Sequence, residues 1–79
     1  MKAKVTVKLK NGVLDPQGKA ILNSAHALGF EEVRDVRVGK SFEIDLGTQD
    51  PKQAKERLAQ LSDKLLANTV IENFEVEIL

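Results

Sequence analysis

At 79 residues, with 42% hydrophobic residues and 12 basic against 12 acidic side chains, the chain has the size of one small domain and is expected to fold as such over residues 1–79. The absence of cysteine excludes disulfides, thiolate metal sites, iron–sulfur ligation and a cysteine nucleophile. No stretch approaches the roughly 20 apolar residues of a membrane span, and Met1–Val5 alternates charge with apolar residues instead of supplying a signal core, so a cytoplasmic location is expected.

The zero formal charge hides a polarity. Residues 1–40 carry eight Lys/Arg and four Asp/Glu, and residues 41–79 carry four and eight. Such a split either favours association through complementary fields or cancels inside one folded protomer. A chain of this length buries only roughly 60% of the surface its unfolded state exposes, so association that completes the core is expected.

Residues 3–9 alternate strictly, with Ala3, Val5, Val7 and Leu9 on one face and Lys4, Thr6 and Lys8 on the other, the pattern of a strand buried on one side. Lys2, Lys4, Lys8 and Lys10 line its polar face. With zero net charge, three phenylalanines and neither tyrosine nor tryptophan, this strip argues for a solvated or docking face and against nucleic-acid binding.

Asn11-Gly12 ends the strand, and Asp15-Pro16 reads as an N-cap followed by proline at the first helical position. Gly18 falls in the first turn, where glycine costs about 1 kcal/mol relative to alanine, so a close backbone approach or a special turn is expected to compensate. Gly12, Gln17 and Gly18 could turn amides toward an anion, but the nucleotide-loop glycine patterns are missing and turn geometry suffices. Ile21, Leu22, Ala25 and Leu28 form the apolar stripe of a helix of about three and a half turns, and Gly29 suits the left-handed position that closes it.

In the centre, Val36, Val38, Phe42, Ile44 and Leu46 share even parity across Gly39-Lys40. A two-residue hairpin there would put Val36 opposite Glu43 and is disfavoured. Two arrangements keep the apolar faces together: a three-residue connection, Gly39-Lys40-Ser41, with Val38 opposite Phe42, or one long strand bent near Gly39. The long strand, projecting and exchanged with a second copy, is the favoured one. Arg34, Arg37 and Lys40 gather beside the bend as candidate partner contacts, or as ordinary charge protection of an edge.

Asp50-Pro51 starts a second helix whose stripe is Ala54, Leu58, Leu61 and Leu65, ending near Asn68. A last alternating run turns Phe74, Val76 and Ile78 inward. Nothing in the chain composes a catalytic site. His26, the only histidine, lies beside the stripe of helix one with no carboxylate at helical spacing, and reads as a partly solvated surface residue. Ser24 stands two residues away and does not face it. Glu31-Glu32, and Asp45 near Asp50, lack the spacing of a metal loop. No catalytic, cofactor-binding or metal-ligating residue is expected.

Read together, Gly12-Val13-Leu14-Asp15-Pro16-Gln17-Gly18, Leu28-Gly29-Phe30, Val36-Arg37-Val38-Gly39-Lys40, Leu65-Leu66-Ala67-Asn68 and Val70-Ile71-Glu72 resemble, in order and over the whole chain, the small PurS subunits of phosphoribosylformylglycinamidine synthase. The resemblance implies a non-catalytic subunit in purine biosynthesis, a homodimer or homotetramer that bridges a large synthetase subunit and a glutaminase subunit. The assembled ligase uses glutamine as amide donor. ATP and magnesium belong to the synthetase partner and no cofactor to this chain, and a part in ammonia transfer is implied.

Carried onto this sequence, the pattern makes Gly12, Asp15, Pro16, Gln17, Gly18, Lys19, Arg34, Arg37, Gly39 and Lys40 the candidates for partner contact or assembly. Thr69 stands where proline is common in the family, and Ser41-Phe42 replaces a frequently different pair. The expected fold is α+β: a β-α-β(-β)-α-β domain, a ferredoxin-like variant whose antiparallel sheet is covered on one face by two helices. It is expected to form a strand-exchanged dimer, with no nucleic-acid or membrane partner. The competing function is an independent small-ligand or regulatory module, which would require a concave site in a self-sufficient protomer.

Overall fold

Strict alternation in the first nine residues produces the central strand of the molecule. The computed structural model describes residues 1–47 and 50–79. Its elements are β1 (Lys2–Leu9), α1 (Pro16–Ala27), β2 (Gly39–Asp45), α2 (Pro51–Leu61), a π-helical turn (Ser62–Leu66) and β3 (Glu72–Ile78). Among the described residues the sheet has three strands in the order β2-β1-β3, each outer strand antiparallel to β1. With two helices on one face, this is a small α+β domain of ferredoxin-like topology.

Register follows the apolar parity. Val5 stands between Phe42 and Val76, and Ala3 between Ile44 and Ile78. Ala3, Val5 and Val7 are fully buried, with Phe42, Ile44, Leu66, Phe74 and Val76 packed around the latter two. These cross-strand neighbours are the unit of sheet stabilisation, and α2 covers them with Ala54 and Leu58.

The opposite face interleaves the charges that the sequence separates. Lys4 stands opposite Glu43 on one side and Glu77 on the other, Lys2 opposite Asp45, and Thr6 opposite Glu75. The basic strip of β1 is thus flanked by acidic rows from β2 and β3. The two halves of the chain offset one another within a single sheet.

Helix α2 departs from the sequence expectation in its last turn. A straight helix would carry Leu61 and Leu65 inward with Ala54 and Leu58. Instead the Ala67 N–H donates to the Ser62 carbonyl at 2.8 Å, a five-residue spacing that widens the turn and shifts its phase. Ser62 is buried, its hydroxyl donating to the Leu58 carbonyl at 2.7 Å. Leu66 and Ala67 turn toward the core, and Leu65 is left 73% exposed.

The Gly39-Lys40-Ser41 hairpin is also overturned. These three residues lie inside β2, opposite Lys8, Val7 and Thr6 of β1. Regular pairing begins only at Gly39, and residues 33–38 approach it as irregular chain, because Val38 bonds elsewhere. Gly39 is needed at that entry, since a Cβ there would lie 2.7 Å from the Val7 carbonyl oxygen.

Helix α1 ends as predicted. Gly29 has φ +98°, its N–H donates to the His26 carbonyl at 3.0 Å and that of Phe30 to the Ala25 carbonyl at 2.9 Å, the paired bonds of a Schellman close. Of the described residues in α1, Gly18 alone is buried, while Ile21 and Leu28 of its apolar stripe are exposed.

The protomer is consequently long and open. It measures 48 × 25 × 14 Å with a radius of gyration of 15.8 Å, against about 12 Å for a compact chain of this length. Its 5981 Å² of accessible surface exceeds by about 1,200 Å² that of a compact monomer of its mass.

Candidate functional site

Aspartate-proline at the entry to α1 fixes more than a helix start. Pro16 occupies the first helical position, and the Gly18 N–H donates to Asp15 Oδ1 at 2.7 Å, completing the N-cap. The second carboxylate oxygen works at long range: Oδ2 accepts the backbone N–H of Val38 at 2.8 Å and lies 4.0 Å from Arg37 Nε. Arg37 in turn donates through Nη2 to the Lys10 carbonyl at 3.2 Å. One buried carboxylate thereby ties the loop after β1, the start of α1 and the approach to β2 into one unit.

The electrostatics agree. Two backbone amides, that of Val38 first and that of Gly18 second, hold the Asp15 carboxyl below its ordinary value of 3.8; desolvation opposes them, and the Arg37 charge adds a smaller favourable contribution. The carboxylate is therefore ionised at neutral pH.

Gly18 shows why glycine is tolerated in the first turn. A Cβ at that position would collide with the Val36 carbonyl oxygen, so the close backbone approach is what compensates its poor helix propensity.

The remaining candidates divide by role. Gly12 sits exposed in the turn after β1, and Pro16 and Gln17 are exposed on the first turn of α1. Lys19, Arg34 and Arg37 line one cleft of about 410 Å³ together with residues 12–15, Leu22, Asp35 and Val36. Lys40 stands apart, its ammonium 5.8 Å from the centre of the Phe42 ring, within cation–π range. Gly39 serves the sheet junction.

Two features were missed. Asp15 was legible as a cap but not as the acceptor for Val38, 23 positions away; the even parity of Val36 and Val38, which suggested strand, concealed that contact. His26 is exposed yet not merely solvated, since its Nε2 lies 2.7 Å from the Val33 carbonyl oxygen, which can only accept, so the ring nitrogen donates. The neighbouring Schellman close, signalled by Gly29, is what turns the chain back toward it.

Among the described residues no group of three or more His, Cys, Asp or Glu side chains could hold a metal ion, and no helix is long and apolar enough to cross a membrane. Clefts are shallow and open, and the polar groups that converge at Asp15 are satisfied by one another. Fold and site together define a small, open α+β protomer with many large apolar side chains exposed.

The family follows from comparison. The family model described as PurS, phosphoribosylformylglycinamidine (FGAM) synthase, matches residues 2–79, and the chain belongs to that family. It is 43% identical over 77 residues to the phosphoribosylformylglycinamidine synthase subunit PurS of Bacillus subtilis, covering 98% of this chain and 90% of the relative. The crystal structure of Methanocaldococcus jannaschii PurS superposes with a TM-score of 0.88 at 38% identity, covering 96% of this chain and 92% of that one. A chain in the structure of PurLQS from Thermotoga maritima superposes with a TM-score of 0.90 at 28% identity, covering 99% and 95%.

Proposed function

We propose that the chain is the non-catalytic assembly subunit of a glutamine-dependent formylglycinamidine ribonucleotide synthase, joining the synthetase and glutaminase subunits in the cytoplasm. The observation that carries this is the open protomer of a PurS-family chain. Leu14, Ile21, Leu28, Phe30, Leu61, Leu65, Val70, Ile71 and Leu79 are all exposed, on a protomer whose 5981 Å² of accessible surface exceeds that of a compact monomer of its mass. The solved PurLQS assembly of Thermotoga maritima supports the identity of the partners.

Self-association, as a homodimer or a dimer of dimers, is part of the same reading. It is supported by the uncovered Ile21, Leu28 and Phe30 along and after α1, and by residues 34–38, which lead into β2 without a strand partner among the described residues. In an exchanged dimer those residues would continue β2 onto a second copy, removing an edge.

The role in chemistry is enclosure. Ammonia released into water is protonated and lost as a nucleophile, whereas a sealed interface between two active sites keeps it reactive. A chain with no reacting group contributes by completing the wall. Size-exclusion light scattering of the mixed subunits tests the assembly. A complex containing all three chains is expected, and elution of this chain separately from both catalytic subunits would refute it.

A further inference from the structure

We infer that Asn11 is a site of spontaneous self-modification: the backbone nitrogen of Gly12 attacks the Asn11 carboxamide, and the turn after β1 passes by deamidation into aspartyl and isoaspartyl forms as the folded chain ages. This is a property of the chain itself, independent of its assembly role. Residues 10–13 form the turn, closed by one bond in which the Val13 N–H donates to the Lys10 carbonyl at 3.2 Å. Gly12 takes φ +85° while Asn11 keeps a negative φ, the pattern of a type II turn.

Both reacting groups are free. Asn11 and Gly12 are exposed, and among the described residues neither the Asn11 carboxamide nor the Gly12 N–H has a hydrogen-bond partner. A Cβ added at Gly12 would meet nothing within 4 Å, so space is open around the attacking nitrogen. The missing side chain also removes the steric barrier to the backbone rotation that brings this nitrogen onto Asn11 Cγ.

The other asparagines of the chain, Asn23, Asn68 and Asn73, are held away from this chemistry. Asn23 lies within α1, where the following amide is committed to the helix ladder. Asn73 lies in β3, paired with Lys8 and followed by Phe74. The Asn68 side-chain oxygen accepts the Val70 N–H at 3.2 Å, and the next residue is the β-branched Thr69, stiff and crowded at Cβ.

Water is the only co-reactant the step needs. The Gly12 nitrogen bonds to Asn11 Cγ and gives up its proton, the carboxamide C–N bond breaks, and ammonia leaves with that proton, closing a cyclic imide. Water then opens the ring at either carbonyl, yielding aspartate or an isoaspartyl link that routes the main chain through the side-chain methylene. Either product puts a carboxylate in the turn. The isoaspartyl form also lengthens the main chain between Lys10 and Gly12, which spoils the turn bond and displaces the Lys10 carbonyl, the acceptor of Arg37 Nη2 at 3.2 Å. Because Arg37 also faces Asp15, the change reaches the frame at the entry to α1.

The test incubates the folded full chain at mildly alkaline pH and resolves its asparagines by peptide mapping with mass spectrometry, circular dichroism verifying that the fold persists. Asn11 is expected to convert at least about tenfold faster than Asn23, Asn68 or Asn73, in step with ammonia release and a more acidic species on anion exchange, with isoaspartate among the products. Asn11→Gln, which keeps an amide but moves it one methylene further from the Gly12 nitrogen, is expected to yield no such species. The isolated isoaspartyl form is expected to unfold a few degrees below the unmodified chain. Conversion at Asn11 no faster than at the other three positions would overturn the inference, a result that needs no variant. So would an acidic species forming at the same rate in Asn11→Gln. An isoaspartyl form that melted with the unmodified chain would overturn its coupling to the Asp15 frame.

Discussion

Asp15 Oδ2 accepts the backbone N–H of Val38 at 2.8 Å, joining residues 23 positions apart. That single bond ends the extended run before β2, aims residues 34–37 beside α1 and lets the same carboxylate cap the helix. The architecture of the candidate surface therefore depends on one side chain.

Replacing it by asparagine retains the size but leaves one oxygen for two amide donors. Asp15→Asn is expected to lower the thermal unfolding midpoint by several degrees while leaving the β-sheet signal of the folded state intact. Unfolding followed by circular dichroism checks this.

The same group sets an acid limb. Its pKa is depressed on folding, so its contribution is fully present above the unfolded value of 3.8 and is lost as pH falls through the lower folded value. The stability gap between wild type and Asp15→Asn should be constant near neutrality and shrink below pH 3.8. Urea titrations at a series of pH values measure the gap, and a gap that grew on acidification would contradict the assignment.

Gly18→Ala distinguishes close approach from helix propensity. Propensity alone favours alanine by about 1 kcal/mol, whereas collision of the new Cβ with the Val36 carbonyl oxygen is expected to destabilise by about 1–3 kcal/mol. Denaturant unfolding gives the sign directly.

The π turn makes a paired prediction. Leu58→Ala removes a fully buried side chain and should cost about 2–5 kcal/mol, enough to unfold much of so small a domain. Leu65→Ala, at an exposed position, should change protomer stability by less than about 0.5 kcal/mol. Equal losses would mean that the last turn keeps the phase of a straight helix.

The contrast between these two leucines shows what the sequence could and could not say. Strand β1, both Asp-Pro helix starts, the Gly29 close and the inward face of β3 were legible, because each is written in local periodicity or in residues with narrow backbone preferences. The phase change at Ser62 was not: a polar residue at a core position reads as surface until its hydroxyl is seen bonded to the Leu58 carbonyl. Parity likewise suggested strand at Val36 and Val38, where the deciding contact is with Asp15. In the candidate site, the cap at Asp15, the need for either a close approach or a special turn at Gly18 and the clustering of Arg34 and Arg37 were readable as separate features. Their convergence was not, since it depends on tertiary contacts that no local pattern encodes.

The central claim is that the chain is required for a reaction in which none of its own groups takes part. Formylglycinamidine ribonucleotide formation by the synthetase and glutaminase subunits, measured with glutamine and separately with added ammonia, in the presence and absence of this chain, tests it most directly. Glutamine-dependent turnover is expected to fall by about tenfold or more without the chain while ammonia-dependent turnover persists. Equal glutamine-dependent turnover with and without it would contradict the account.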